Sequence, residues 1–122
     1  MKNLYKLLIL LGMGVFLSSC YYDTYMEIEV PVPDEVSYSK DIQPLWNSDC
    51  VSCHGASAPN LEAASSYNNL LNGYVVAGNA EASVLYQSLI WGDAKAMPPS
   101  QKWETYKIQL VEAWIEQGAK NN

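Results

Sequence analysis

Five consecutive residues, Cys50-Val51-Ser52-Cys53-His54, constrain this chain more than any other stretch. Two thiols three positions apart, with an imidazole directly after the second, form the C-x-x-C-H pattern that attaches a c-type haem covalently. The chemistry accounts for the spacing. The thiols add to the two porphyrin vinyl groups as thioethers, and the imidazole binds iron from one side. At helical spacing, positions 50, 53 and 54 fall close together on one face, so a single turn presents all three groups to one porphyrin edge. The expectation is one haem c, bonded through Cys50 and Cys53, with His54 as an iron ligand.

Two other uses of these cysteines fit less well. A structural zinc site takes four Cys or His ligands. Here Cys50, Cys53 and His54 make three, Cys20 is the only other cysteine, and there is no second histidine. A thioredoxin-like redox pair sits beside a βαβ pattern, and no strand-rich run flanks these residues.

The N-terminal sequence says where such a haem would be attached. Lys2 and Lys6 precede an apolar run from Leu7 to Leu17. That run is too short to span a bilayer and matches the core of a signal peptide. It ends in Leu17-Ser18-Ser19-Cys20, which is similar to the bacterial lipobox: aliphatic, small, small, cysteine. The similarity implies cleavage before Cys20 and acylation of that cysteine; an ordinary signal peptide with an incidental cysteine is the alternative. Either way the chain crosses the inner membrane, and covalent haem attachment belongs to the same side. Several acyl chains on one cysteine anchor a protein stably, where a single chain is marginal. Residues 1–19 are thus read as a lipoprotein signal peptide.

Without that segment, five lysines face thirteen acidic residues and there is no arginine. This composition argues against a nucleic-acid partner, which would need a basic patch. An acidic surface suits a basic protein partner or none. From Cys20 to Val36 the acids and the prolines at 31 and 33 favour an extended acidic tether. The alternation Met26, Ile28, Val30, Val32 also fits a short strand pinned on the domain, but prolines inside the pattern count against it.

Residues 37–122 read as one small all-α domain of about 86 residues. Asp41 to Trp46 looks like a first helix, capped by Ser39 or Asp41, with Pro44 in its first turn. Glu62 to Leu71 is a weaker helix ended by Asn72-Gly73, and Tyr74 to Ala77 a short extended piece. Glu81 to Trp91 reads as a helix closed by Gly92, with Leu85 and Leu89 facing inward. The strongest helix spans Trp103 to Gln117 and stops at Gly118, with an apolar stripe of Trp103, Tyr106, Leu110 and Trp114. A domain of this size sits near the limit at which a staple is needed, and a covalent haem packed against Trp46, Leu85 and Leu110 would supply one.

The second iron ligand follows by elimination. With His54 the only histidine, bis-histidine ligation within the chain is impossible. Beyond residue 19 there are two methionines. Met26 lies in the proposed tether, whereas Met97 sits in Ala96-Met97-Pro98-Pro99, where paired prolines stiffen the backbone beside the sulfur. A neutral thioether favours ferrous iron and raises the reduction potential. The alternative for Met97 is an apolar packing role.

Together, Tyr38-Ser39-Lys40-Asp41-Ile42-Gln43-Pro44, the C-x-x-C-H-Gly run, Ser83-Val84-Leu85, Met97-Pro98-Pro99 and Trp114-Ile115-Glu116-Gln117-Gly118-Ala119 resemble class I cytochromes c. The closer likeness is to the monohaem domains of bacterial membrane-attached cytochromes. The resemblance covers residues 37–119. It implies a small cytochrome c-like helical domain wrapped around one haem, with the first and last helices crossing beside it at Trp46 and Trp114. One departure is that the first helix lacks the small, Gly-rich approach of many members. The expected function is electron transfer between transient redox protein partners, with iron closed by His54 and Met97. No small-molecule substrate or enzymatic activity is expected, and the location is the bacterial cell envelope, facing the periplasm or the exterior. The alternatives are a haem-bearing accessory subunit of a larger membrane redox complex, or a haem enzyme or gas sensor with an open iron site.

Overall fold

The computed structural model describes residues 30–122. The signal-like segment, Cys20, Met26 and the first part of the proposed tether lie outside the described residues. Five α-helical segments follow one another: α1 (Gln43–Asp49), α2 (Val51–His54), α3 (Ser66–Leu71), α4 (Val84–Ile90) and α5 (Thr105–Glu116). A single π-helical turn, Tyr38–Ile42, leads into α1. The described residues are helical with no strand, and Tyr74–Ala77 forms none.

The first helical run starts earlier than its acidic residue suggests. Ser37, rather than Ser39 or Asp41, is the cap: its hydroxyl accepts from the Lys40 N–H at 3.4 Å, while Asp41 Oδ2 accepts from the Ser37 N–H at 2.8 Å. This reciprocal pairing works like a capping box. The reason is packing, because the turn it opens buries Tyr38 and Ile42. Pro44 stands in the first turn of α1, where its missing N–H is harmless.

The packed domain begins before Ser37. Val36 is buried and Val32 packs against the core. Gln117 holds this stretch at two points, accepting from the Val36 N–H at 2.8 Å and donating to the Asp34 carbonyl at 3.2 Å.

The middle of the chain is more loop than helix. Residues 62–65 form turns, and α3 is only six residues long. Gly73 adopts φ +96, the left-handed geometry that ends α3 as its sequence implies. Helix α4 is shorter than its pattern, starting after Ser83, whose hydroxyl donates to the Asn79 carbonyl at 2.8 Å and accepts from the Val76 N–H at 2.9 Å. At its end Trp91, not Gly92, takes the left-handed position, with φ +61. The Gly92 N–H closes back to the Gln87 carbonyl at 2.9 Å. A side chain in this conformation costs about 1–2 kcal/mol.

Helix α5 supplies the largest apolar face: Ile108, Leu110, Val111, Trp114 and Ile115 are all buried. Fully burying each such side chain contributes roughly 1.5–3 kcal/mol. The face meets the π-turn, where Tyr38 lies 5.1 Å from Trp114 and 5.2 Å from Tyr67 between ring centroids. Trp46 does not pair with Trp114 in this way; it stacks on Trp103 at 5.7 Å and 17°. Trp103 precedes α5 instead of belonging to it.

A buried polar chain ties α1 to α3. The Tyr38 hydroxyl donates to Ser66 Oγ at 2.7 Å, Ser66 Oγ bonds Gln43 Oε1, and Gln43 Nε2 donates to the Leu61 carbonyl at 3.1 Å. Burial pushes the Tyr38 phenol above its ordinary pKa, while its bond to Ser66 works against that rise. Removing the middle member would strand two buried polar groups. Ser66→Ala is expected to lower stability by about 1–3 kcal/mol in urea unfolding. An unchanged midpoint would show that the chain of bonds contributes nothing net.

Candidate functional site

Helix α1 runs straight towards the thiol pair and breaks at Cys50, whose φ of −120 and ψ of −38 separate it from α2. The Cys50 N–H still donates to the Trp46 carbonyl at 3.0 Å, so α1 fixes where the next turn begins. That turn closes through the Cys50 carbonyl, which accepts from the N–H groups of Cys53 at 3.1 Å and His54 at 2.8 Å. Cys50, Cys53 and His54 thereby share one helical turn, as their spacing predicts.

The loop after α2 folds back and orients the imidazole. His54 Nδ1 lies 3.0 Å from the Pro59 carbonyl, and the Leu61 N–H donates to the His54 carbonyl at 2.8 Å. Since a carbonyl can only accept, Nδ1 carries the proton in this bond, and Nε2 keeps its lone pair for a metal. Asn60 closes the loop. Its amide donates to the Gly55 carbonyl, and its Oδ1 accepts from the Glu62 N–H at 2.9 Å and Ser65 Oγ at 3.0 Å.

A cavity of about 520 Å³ opens beside this turn. Cys50, Cys53 and His54 line it, and so does Met97 from the loop beyond α4. The Met97 N–H donates to the Ser88 carbonyl at 3.0 Å, which fastens that loop to α4. Leu61, Leu70, Leu85 and Leu89 give apolar walls, and Lys95 is the cation on its lining. Of the three side chains expected to pack on a bound group, Trp46 and Leu85 line the cavity. Leu110 does not; it is buried in the core formed by α5. Sequence reasoning missed Leu61, Leu70, Tyr74 and Ser88 as lining residues, because they lie in loops or short helices without a readable period.

The two thiols differ. Cys53 is exposed, whereas Cys50 is half-buried. Burial pushes the Cys50 thiol up to about 12, with the Asp49 carboxylate adding to the rise and Lys107 opposing it. Lys107 Nζ bonds Asp49 Oδ2 at 2.7 Å and holds that carboxyl below its usual range. This pair links α5 to the end of α1, although its half-exposed setting limits its worth to about 1 kcal/mol or less. A protonated Cys50 is a poor nucleophile and a poor thiolate ligand. Among the described residues, no three His, Cys, Asp or Glu side chains converge on a point.

The residues therefore suit a large apolar group better than a bare ion. The cavity falls within the roughly 300–1,000 Å³ typical of cofactor and ligand pockets. Its donors are one imidazole Nε2 and one thioether sulfur, and two thiols stand on its edge. Comparison with protein-family models, with characterised proteins and with solved structures found no match to this chain. The functional reading accordingly rests on the residues and their geometry.

In a cofactor-free chain whose circular dichroism shows it to be folded, Cys53 is expected to alkylate first. Cys50 should stay unreactive near neutral pH and gain reactivity only as pH climbs towards its raised pKa. Mass spectrometry of iodoacetamide-treated protein across pH checks this; equal rates at the two positions would contradict the burial of Cys50.

Proposed function

We propose that this protein is a membrane-anchored monohaem c-type cytochrome that carries electrons between redox proteins of the bacterial cell envelope. The observation that supports it most is the convergence of Cys50, Cys53, His54 and Met97 on one cavity, although Met97 lies far along the chain from the other three. The helical architecture, with the first turn and last helix packed through Tyr38 and Trp114, is compatible with a cytochrome c-like domain wrapped around one haem. In this reading Cys20 carries the lipid, and the domain faces the periplasm or the exterior.

A bound haem supplies a one-electron iron couple. Cys50 and Cys53 would hold it through thioethers, and Cys53 is the more exposed thiol of the two. His54 offers Nε2 to the iron while its Nδ1–H stays on the Pro59 carbonyl, which makes the ligating nitrogen more basic. Met97 offers a neutral sulfur, which favours the reduced iron and raises the potential. Leu61, Leu70, Leu85 and Leu89 exclude water. Were His54 and Met97 both given to the iron, no ligand position would be left for substrate, so the reading is a carrier rather than an enzyme.

Made in a host with haem-attachment machinery, the full chain should retain its haem through denaturing electrophoresis. Cys50→Ala or Cys53→Ala should weaken that attachment, and His54→Ala should abolish the low-spin spectrum. Met97→Ala should keep the haem, lose the far-red charge-transfer band of sulfur-bound ferric haem, lower the potential and bind carbon monoxide. A wild-type potential in that variant would overturn the ligand assignment. Ready carbon monoxide binding by the wild type would instead favour the haem enzyme or gas sensor. Cys20→Ser should release the protein from membranes into the soluble fraction; retention in the membrane would point to another anchor.

A further inference from the structure

The wall of the cavity reaches solvent along α4. Val84 and Ser88 both line the cavity, and Val84 is 45% exposed. Trp91 caps the C-terminal end of α4, so Val84 and Trp91 stand at the two ends of this seven-residue helix. Trp91 is 42% exposed, an unusual state for an indole, and it holds the left-handed conformation that glycine would fill without penalty.

Neither packing nor turn geometry requires an indole at position 91. At the next position a Cβ on Gly92 would meet the end of the Gln87 side chain, which would have to turn aside. Gln87 bonds one residue from each flank of α4. Its Nε2 donates to Glu81 Oε2 at 3.1 Å, and its Oε1 accepts from the Asp93 N–H at 3.4 Å. Two exposed acidic residues, Glu81 and Asp93, are therefore held beside Gln87 between Val84 and Trp91, on a protein whose overall charge is −6. Lys95, the nearby cation, lines the cavity.

The geometry points to the exposed side of α4 from Val84 to its Trp91 cap as the docking surface for a basic redox protein, with Trp91 as its apolar anchor and Glu81 and Asp93 as its charged neighbours. This inference rests on the electron-carrier reading and adds to it where the partner binds and what chemistry it presents. An aromatic side chain ringed by charge is the usual form of an interface anchor. Complementary charge raises the encounter rate and makes it fall with salt. Acidic neighbours of this kind repel anionic lipid headgroups, which favours a protein partner over the bilayer.

The test is stopped-flow oxidation of the full-length, haem-loaded protein by ferric mitochondrial cytochrome c, a lysine-rich probe, with ferricyanide as a small-molecule control. Trp91→Gly is expected to slow the reaction with the protein probe about tenfold and leave the ferricyanide rate unchanged. Glu81→Gln with Asp93→Asn should slow the protein reaction about threefold at low salt and have no effect at high salt. Unchanged protein rates in both variants would overturn the surface. So would equal losses with probe and control, which would mean that the substitutions had damaged the haem site itself. If phosphatidylglycerol vesicles shield Trp91 from iodide quenching and the protein rate ignores salt, the surface belongs to the bilayer and the proposal fails. A chain that takes up no haem at all would end the electron-carrier reading and this surface with it, a result distinct from a normal spectrum with unaltered rates.

Discussion

The contact between Tyr38 and Trp114 is the constraint on which the domain depends. Tyr38 opens the first helical run and Trp114 lies near the end of the last, so their burial joins segments from opposite ends of the described chain. Tyr67 from α3 closes the cluster edge-on, and its hydroxyl reaches the Ala119 carbonyl at 3.0 Å. The Trp114 indole N–H donates to the Lys120 carbonyl at 2.9 Å, so this ring is both packed and satisfied. Three short helices, each marginal alone, are fixed by one aromatic junction. Once α1 is held there, Cys50 and the turn of α2 have a defined position.

The cavity is the complement of that arrangement. One wall is the α2 turn with its thiols and imidazole, and the loop carrying Met97 is hung from α4 by a single backbone bond. The Trp46–Trp103 stack stands behind, but neither indole N–H has a hydrogen-bond partner. Trp46 is close enough to the Tyr38 hydroxyl to counter its rise in pKa, yet the two do not reach bonding geometry. Two unpaired buried donors destabilise the fold by about 1–3 kcal/mol each.

Much of the site could be read from sequence because its chemistry is local. The two thiols and His54 occupy one turn, and one turn is what a five-residue pattern specifies. The α5 stripe was equally legible, since Leu110, Val111, Trp114 and Ile115 repeat at helical spacing over twelve residues. What escaped was the chemistry of contacts distant in sequence. Tyr38 gives no sign of its partner, and Gln43 and Ser66 look like surface residues until their shared bond buries them. Trp103 fits the α5 period but serves as a stacking partner before the helix starts. Helix α4 differs from its sequence pattern at both ends because Ser83 is occupied with Asn79 and Val76, and because Trp91 takes the left-handed position that the pattern gives to Gly92.

The segment before the first helix has a mechanical consequence. Residues 34–39 are stitched to residues 117–122: Gln117 grips Asp34 and Val36, Lys120 reaches Glu35 at 3.9 Å, and Asn122 accepts from the N–H groups of Tyr38 and Ser39. These bonds act as a cable clamp. A tug transmitted through the leading segment is borne as shear along the C-terminal stretch, before it can reach α1 and the thiol-bearing turn. The distances around His54 are thereby shielded from such a load.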